Sequence, residues 1–161
     1  MAAAEVSLRD ASPEDRGFLL QVYSSTRAEE LAATGWSDEQ KAAFCLMQFN
    51  AQDAHYRAHY PRATFQVLES GGSCVGRLYV DRWTKEIRIM DIALLPEFRG
   101  RGIGTQILQL LMNEAADSNR TLSIHVERYN PALRLYDRLG FRLVEDKGVY
   151  LLLEFRPKNL K

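Results

Sequence analysis

Residues 91–116 read DIALLPEFRGRGIGTQILQLLMNEAA, and the reading of this stretch decides the fold. An apolar run gives way to Arg99, Gly100, Arg101, Gly102 and Gly104. Ile103, Ile107, Leu111 and Ala115 then recur at helical spacing, with Leu108 and Met112 beside them. The opening amides of a helix have no partner inside it, and the helix dipole adds partial positive charge there. Glycines let an anion approach those amides, while Arg99 and Arg101 add charge and directed donors. Strand, glycine-rich turn and helix therefore make a cradle for a pyrophosphate. The same residues also fit a tight strand-to-helix turn carrying two solvated arginines.

The flanking sequence punctuates cleanly. Upstream, Val6 to Asp10 reads as a strand, and Ser12 with Pro13 opens a helix. Gly35 and Trp36 break that helix, and Ser37 with Gln40 forms a capping box for a second one ending near Pro61. TFQVLE, CVGRLYVDRW and EIRIMDIALL then make an antiparallel meander joined by short polar loops. Downstream, Leu122, Ile124 and Val126 alternate as a strand. Asn130 and Pro131 open a helix closed by Gly140, and FRLVED with VYLLLEF forms a closing hairpin around Lys147 and Gly148. The pattern predicts one α/β domain over residues 1–161.

Composition narrows the function. Lys plus Arg and Asp plus Glu number 21 each, so no overall field draws nucleic acid or an anionic membrane, and anion binding must be local. No run approaches the ~20 apolar residues of a membrane span. The opening MAAAEVSLRD lacks a charged start followed by an apolar run, so no secretory signal is read there. Cys45 and Cys74 lack metal or redox spacing and read as buried free thiols. A cytoplasmic protein is expected.

Three known cradles can be tried on the glycine seam. A Walker loop needs Lys and then Ser or Thr after its last glycine, but Thr105 and Gln106 follow Gly104. The dinucleotide fingerprint needs glycine where Thr105 stands, and parallel strand–helix units where hairpins precede. RGRGIG instead matches R/Q-x-x-G-x-G/A, with Arg99, Gly102 and Gly104 at the defining positions. SIHVERYNPALRLYDRLGF follows with Tyr-x-x-x-Gly-Phe as Tyr136, Gly140 and Phe141. The two motifs, in this order, resemble those of the GNAT superfamily of acyl-coenzyme A-dependent N-acetyltransferases, and the segment order agrees from Val6 to Phe155.

That resemblance implies a mixed, mostly antiparallel central sheet flanked by helices, and acetyl-coenzyme A as co-substrate. It implies that Arg99, Gly100, Arg101, Gly102, Ile103, Gly104 and Thr105 hold the pyrophosphate. Ile92, Ala93 and Leu94 would offer backbone groups to the pantetheine arm. It makes Tyr136 the acid that protonates the leaving thiolate. Many relatives carry an asparagine seven residues before this tyrosine, on the coenzyme A arm; Asn130 stands six before it and reads equally as a helix cap. For the general base, Asp91 and His125 are candidates, and Glu127 shares a strand face with His125 and Ser123. Asp91 is read as interrupting the apolar row Ile87, Ile89, Ala93.

The region between the first strand and the meander shapes the acceptor pocket by the same resemblance. Phe44, Met47, Ala51 and His55 lie along one helix face, and Phe49, Tyr56 and Tyr60 along another. One face suits the core; the other suits a ligand, a lid or a second subunit in a homodimer. His55 and His59 stand i, i+4 without an evident third ligand, so no metal is expected. The expected reaction is acetyl transfer to the primary amine of a small molecule or peptide by direct attack. A non-catalytic acyl-coenzyme A sensor or partner-binding module on the same fold is the alternative.

Overall fold

Residues 5–160 are described by a computed structural model. Its strands are β1 (Val6–Asp10), β2 (Thr64–Ser70), β3 (Ser73–Arg82), β4 (Glu86–Leu94), β5 (Thr121–Glu127), β6 (Arg142–Asp146) and β7 (Tyr150–Phe155). Its helices are α1 (Arg16–Ala32), α2 (Asp38–His59), α3 (Ile103–Asp117) and α4 (Leu133–Leu139). The strands form one sheet in the order β1-β2-β3-β4-β5-β7-β6. Only β4 and β5 run parallel, because α3 carries the chain back over the sheet between them. The expected mixed, mostly antiparallel sheet flanked by helices is present.

Both helix-start signals operate, in different ways. Ser37 Oγ accepts the Gln40 amide at 3.1 Å while Gln40 Oε1 accepts the Ser37 amide at 2.9 Å, the reciprocal pair of a capping box. At Ser12 the chain first makes a 3-10 turn over Pro13–Asp15, and α1 begins at Arg16. Asp15 explains the delay. Its carboxylate accepts the Ser12 amide at 2.8 Å and two Arg9 donors at 2.7 Å, tying the end of β1 to the helix entry. These donors hold the Asp15 carboxyl well below the usual carboxylate range, the Arg9 hydrogen bonds contributing most.

The apolar stripe of α3 packs as its spacing predicts. Ile103, Ile107, Leu108, Leu111, Met112 and Ala115 are buried against Leu78, Val80, Ile87, Ile89, Leu122 and Ile124 of the sheet. Burial of each large side chain stabilises the fold by roughly 1.5–3 kcal/mol. Tyr136 of α4 joins this core. The opposite face of the sheet is covered by α1 and α2, where Leu19, Tyr23 and Phe49 surround Val67. Of the two apolar faces of α2, the core takes Cys45 and Phe49, with Tyr56 half-buried; Met47, Ala51 and His55 are exposed. Cys45 and Cys74 are both free thiols, but Cys74 is only half-buried and lies 3.8 Å from Arg9 Nη2.

One expectation about β4 is corrected. Val80 pairs with Ile89 and Tyr79 with Asp91, so Met90 is an extra residue bulged out of the ladder. Adjacent residues Tyr79 and Val80 face opposite sides, and so do their partners. Ile87 and Ile89 therefore face α3, whereas Asp91 and Ala93 face α1 and α2. Asp91 does not interrupt the row of Ile87 and Ile89; the bulge moves it to the other side of the sheet.

Candidate active site

The glycine seam forms the N-terminal end of α3. Gly100 and Gly102 adopt left-handed backbone, with φ of 74° and 81°, a region that side-chain-bearing residues avoid. The first intrahelical bond runs from the Gln106 amide to the Gly102 carbonyl at 3.0 Å, which leaves the amides of residues 103–105 without an acceptor inside the helix. A Cβ at Gly104 would approach only Leu135 Cδ2, at 3.8 Å, so this part of the turn is open. Arg99 folds back so that its Nε donates to the Leu94 carbonyl at 3.2 Å, and the Arg101 guanidinium lies 5.4 Å from the Phe98 ring centre.

Beside the cradle, the centre of the sheet opens. β4 and β5 are paired only from Glu86↔Thr121 to Ile89↔Ile124. Past that point β4 stays on β3 as far as Leu94↔Gly76, and β5 stays on β7 as far as Glu127↔Tyr150. Among the described residues, the β5-facing backbone of residues 91–94 has no strand partner. Gly76 keeps β4 close to β3 there, since a Cβ on it would lie 2.3 Å from the Ala93 carbonyl oxygen. An internal strand edge of this kind accepts an extended amide-bearing chain as an added strand. The free amides of residues 103–105 suit a phosphate. Pantetheine and pyrophosphate therefore fit the two features together.

Three titratable side chains stand near the opening. Tyr136 is buried, its ring 5.3 Å from Phe141 in an edge-on arrangement, and no described residue hydrogen-bonds its hydroxyl. Burial pushes that hydroxyl's pKa well above the ordinary tyrosine value, and the charge of Asp91 adds to the effect. Asp91 is ion-paired with Arg77, whose side chain is almost wholly buried. His125, one residue past the last β4–β5 pair, lies apart from them. Its Nδ1 is 3.3 Å from Arg88 and its Nε2 is 3.1 Å from Lys147. Partial burial and these two cations hold its pKa below the ordinary histidine value.

The comparisons with known proteins agree with this geometry. The family model described as "Acetyltransferase (GNAT) family" matches residues 21–141. The chain belongs to this family. It is 31% identical over 121 residues to mycothiol acetyltransferase of Corynebacterium glutamicum, a match covering 73% of this chain and 40% of that protein's length. Among solved structures, PaiA N-acetyltransferase from Thermoplasma acidophilum in complex with coenzyme A superposes with a TM-score of 0.72 at 16% identity, covering 94% of this chain and 99% of that one. An acetyltransferase from Thermus thermophilus gives 0.70 at 23% identity, covering 98% and 99%. A GNAT acetyltransferase from Elizabethkingia anophelis with acetyl-coenzyme A bound gives 0.60 at 17%, covering 94% and 97%. The likeness of these structures is one of fold.

Within this GNAT fold, the residues expected at the site fall into groups. The seam residues 99–105 line the cradle and residues 92–94 line the open edge. Asp91 pairs with Arg77, Tyr136 is buried in the α3-side core, and His125 turns to Arg88 and Lys147. Glu127 reaches Arg27 of α1 at 4.0 Å. Asn130 Oδ1 accepts the Ala132 amide at 2.8 Å, so its carboxamide shapes the entry to α4, which begins at Leu133 rather than at Pro131. His55 and His59 stack 4.3 Å apart on the outer part of α2, and no group of three metal-ligating side chains occurs among the described residues. Sequence reasoning missed Arg77, which pairs with Asp91, Gln52, which accepts from Arg77, and Tyr79, which stands opposite Asp91 on β3. The signal available was Arg77 itself, a charge inside the apolar run of β3 that needs an acid on a neighbouring strand.

Proposed function

We propose that the protein transfers the acetyl group of acetyl-coenzyme A to a primary amine by direct attack in a ternary complex. One observation carries the reading: the unpaired β4 edge, with Asp91 just past its last pair with β5, lies beside the open amides at the start of α3. Family membership and the neighbours that hold coenzyme A or acetyl-coenzyme A support it. Acetyl-coenzyme A supplies the activated thioester. Residues 92–94 and 103–105 bind and orient it through their backbone, and Arg99 and Arg101 add charge beside the phosphates. The neutral amine nitrogen bonds to the carbonyl carbon as the carbon–sulfur bond breaks, and the proton the nitrogen sheds passes to solvent, from which Tyr136 regains the proton it gives to the thiolate.

Tyr136 supplies the proton that turns the departing thiolate into a thiol. Its raised pKa keeps the hydroxyl protonated throughout the neutral range, so the proton is always present. The same burial that weakens Tyr136 as an acid also raises the proton affinity of a thiolate beside it. Asp91 accepts a hydrogen bond from the amine. Because the chain spans 40% of the mycothiol relative, that relative's acceptor does not carry over. The test is thiol release from acetyl-coenzyme A with spermidine, kanamycin, a tripeptide with a free amino terminus, and a lysine-containing peptide. Amine-dependent release is expected; coenzyme A binding without turnover of any amine would favour a non-catalytic sensor.

A further inference from the structure

Arg77 is 1% exposed, in the middle of the sheet face covered by α1 and α2. Its Nη2 donates to Asp91 Oδ2 and, at 3.1 Å, to Gln52 Oε1 of α2. Its guanidinium carbon lies 4.8 Å from the Tyr79 ring centre and 5.7 Å from that of Tyr23. Its Nε and Nη1 are buried without a partner among the described residues. A buried ion pair often holds a fold no better than an apolar side chain of similar volume would. The charge at this position is bonded to Asp91, and it therefore points to a duty there.

Asp91 is the partner that matters, because it is half-way into the opening. It follows the Met90 bulge, past the last β4–β5 pair, and its side chain is 19% exposed. Its Oδ2 is engaged by Arg77, and no side chain among the described residues donates to its Oδ1. Its charge is felt by Tyr56 on the acceptor side and by Tyr136 on the cofactor side. We infer that Arg77 is a positioning residue: it clamps Asp91 Oδ2 so that Oδ1 stands at the mouth of the β4–β5 opening and accepts an N–H of the acceptor amine. The inference rests on the acetyl-transfer reading above. It assigns the recognition of the amine to a carboxylate held by a buried guanidinium, with Gln52 and the Tyr23 and Tyr79 rings fixing the clamp. The specificity that follows is for acceptors able to bring a small amino group past Tyr56, rather than for a polycation as such.

The test compares Arg77→Met and Arg77→Lys in the wild-type background and in Asp91→Asn, using the fastest acceptor among spermidine, kanamycin and the two peptides. Arg77→Met should lower kcat/KM for the amine by about tenfold or more, chiefly through the amine KM, with coenzyme A affinity unchanged. Arg77→Lys, which keeps the charge but not the fork, should recover part of the loss. In Asp91→Asn, the Arg77 substitutions should cost less than about twofold further, because the residue acts through Asp91. Equal costs in both backgrounds, or no effect on the amine KM, would overturn the inference. If Arg77→Met does not fold, as absent coenzyme A binding would reveal, Arg77→Lys carries the same comparison. Wild-type protein inactive on every acceptor would remove the acetyl-transfer reading and this inference with it, an outcome distinct from an active wild type with indifferent variants.

Discussion

Two side chains near the opening differ in what pH does to them, and that separates their roles. Tyr136 sits in the α3–α4 core with its pKa raised by burial and by Asp91. It stays protonated as pH rises through the neutral range, so no ionisation of Tyr136 should limit activity there. Tyr136→Phe should keep coenzyme A affinity and lower kcat by about 10²-fold, as loss of a general acid does; full activity in that variant would remove the role. His125 is the opposite case, with its pKa held below 6.5 by partial burial, Arg88 and Lys147. The unfolded chain then binds the proton more readily, so His125 lowers stability as pH falls below about 6.5 and costs nothing above it. His125→Gln should flatten this acid-side loss in unfolding experiments between about pH 5 and pH 8. The change should stay under about 1 kcal/mol, because the ring is partly solvated; an unchanged pH slope would contradict the assignment.

At the scale of elements, the strand–turn–helix unit carries the anion site. Gly102 has φ of 81° and caps α3. Gly102→Val forces a branched side chain into left-handed backbone, at a cost of about 1–2 kcal/mol, and places it against the open amides. Coenzyme A affinity should fall at least about tenfold. Gly104→Ala meets only Leu135 Cδ2 at 3.8 Å and should leave stability unchanged or slightly improved by helix propensity. Calorimetric titration with coenzyme A checks the first and thermal unfolding the second; undiminished affinity in Gly102→Val would sink the cradle. This unit was legible because its signals are local: helical spacing from Ile103 to Ala115, and glycines where backbone must turn left-handed. The face of Asp91 was not. Alternation from Ile87 to Ala93 assigns it to the α3 side, and the Met90 bulge that reverses it arises from pairing with β3, which leaves no mark within β4 itself. The α1 entry was legible at Ser12 and Pro13, but not that its first turn is a 3-10 turn, whose Asp15 is held by Arg9 from β1.

Over the whole molecule, helix and strand identities followed from pattern, while the sheet order placing β7 between β5 and β6 depends on long-range pairing. The central opening depends on it too. β5 is paired with β7 from Leu122 to Glu127, and β4 with β3, so the two can part without losing their other ladders. Arg77 and its surroundings were hidden because Gln52, Tyr56 and Tyr23 reach it from two helices that are remote in sequence. In the proposed function, this opening and the α3 N-terminus together hold the acyl carrier. Amide hydrogen exchange with and without coenzyme A tests it most directly. New protection is expected at residues 91–94 and 102–105, with β1 and β6 unchanged. Saturating coenzyme A that protects neither segment, or protects the α2 surface instead, would contradict it.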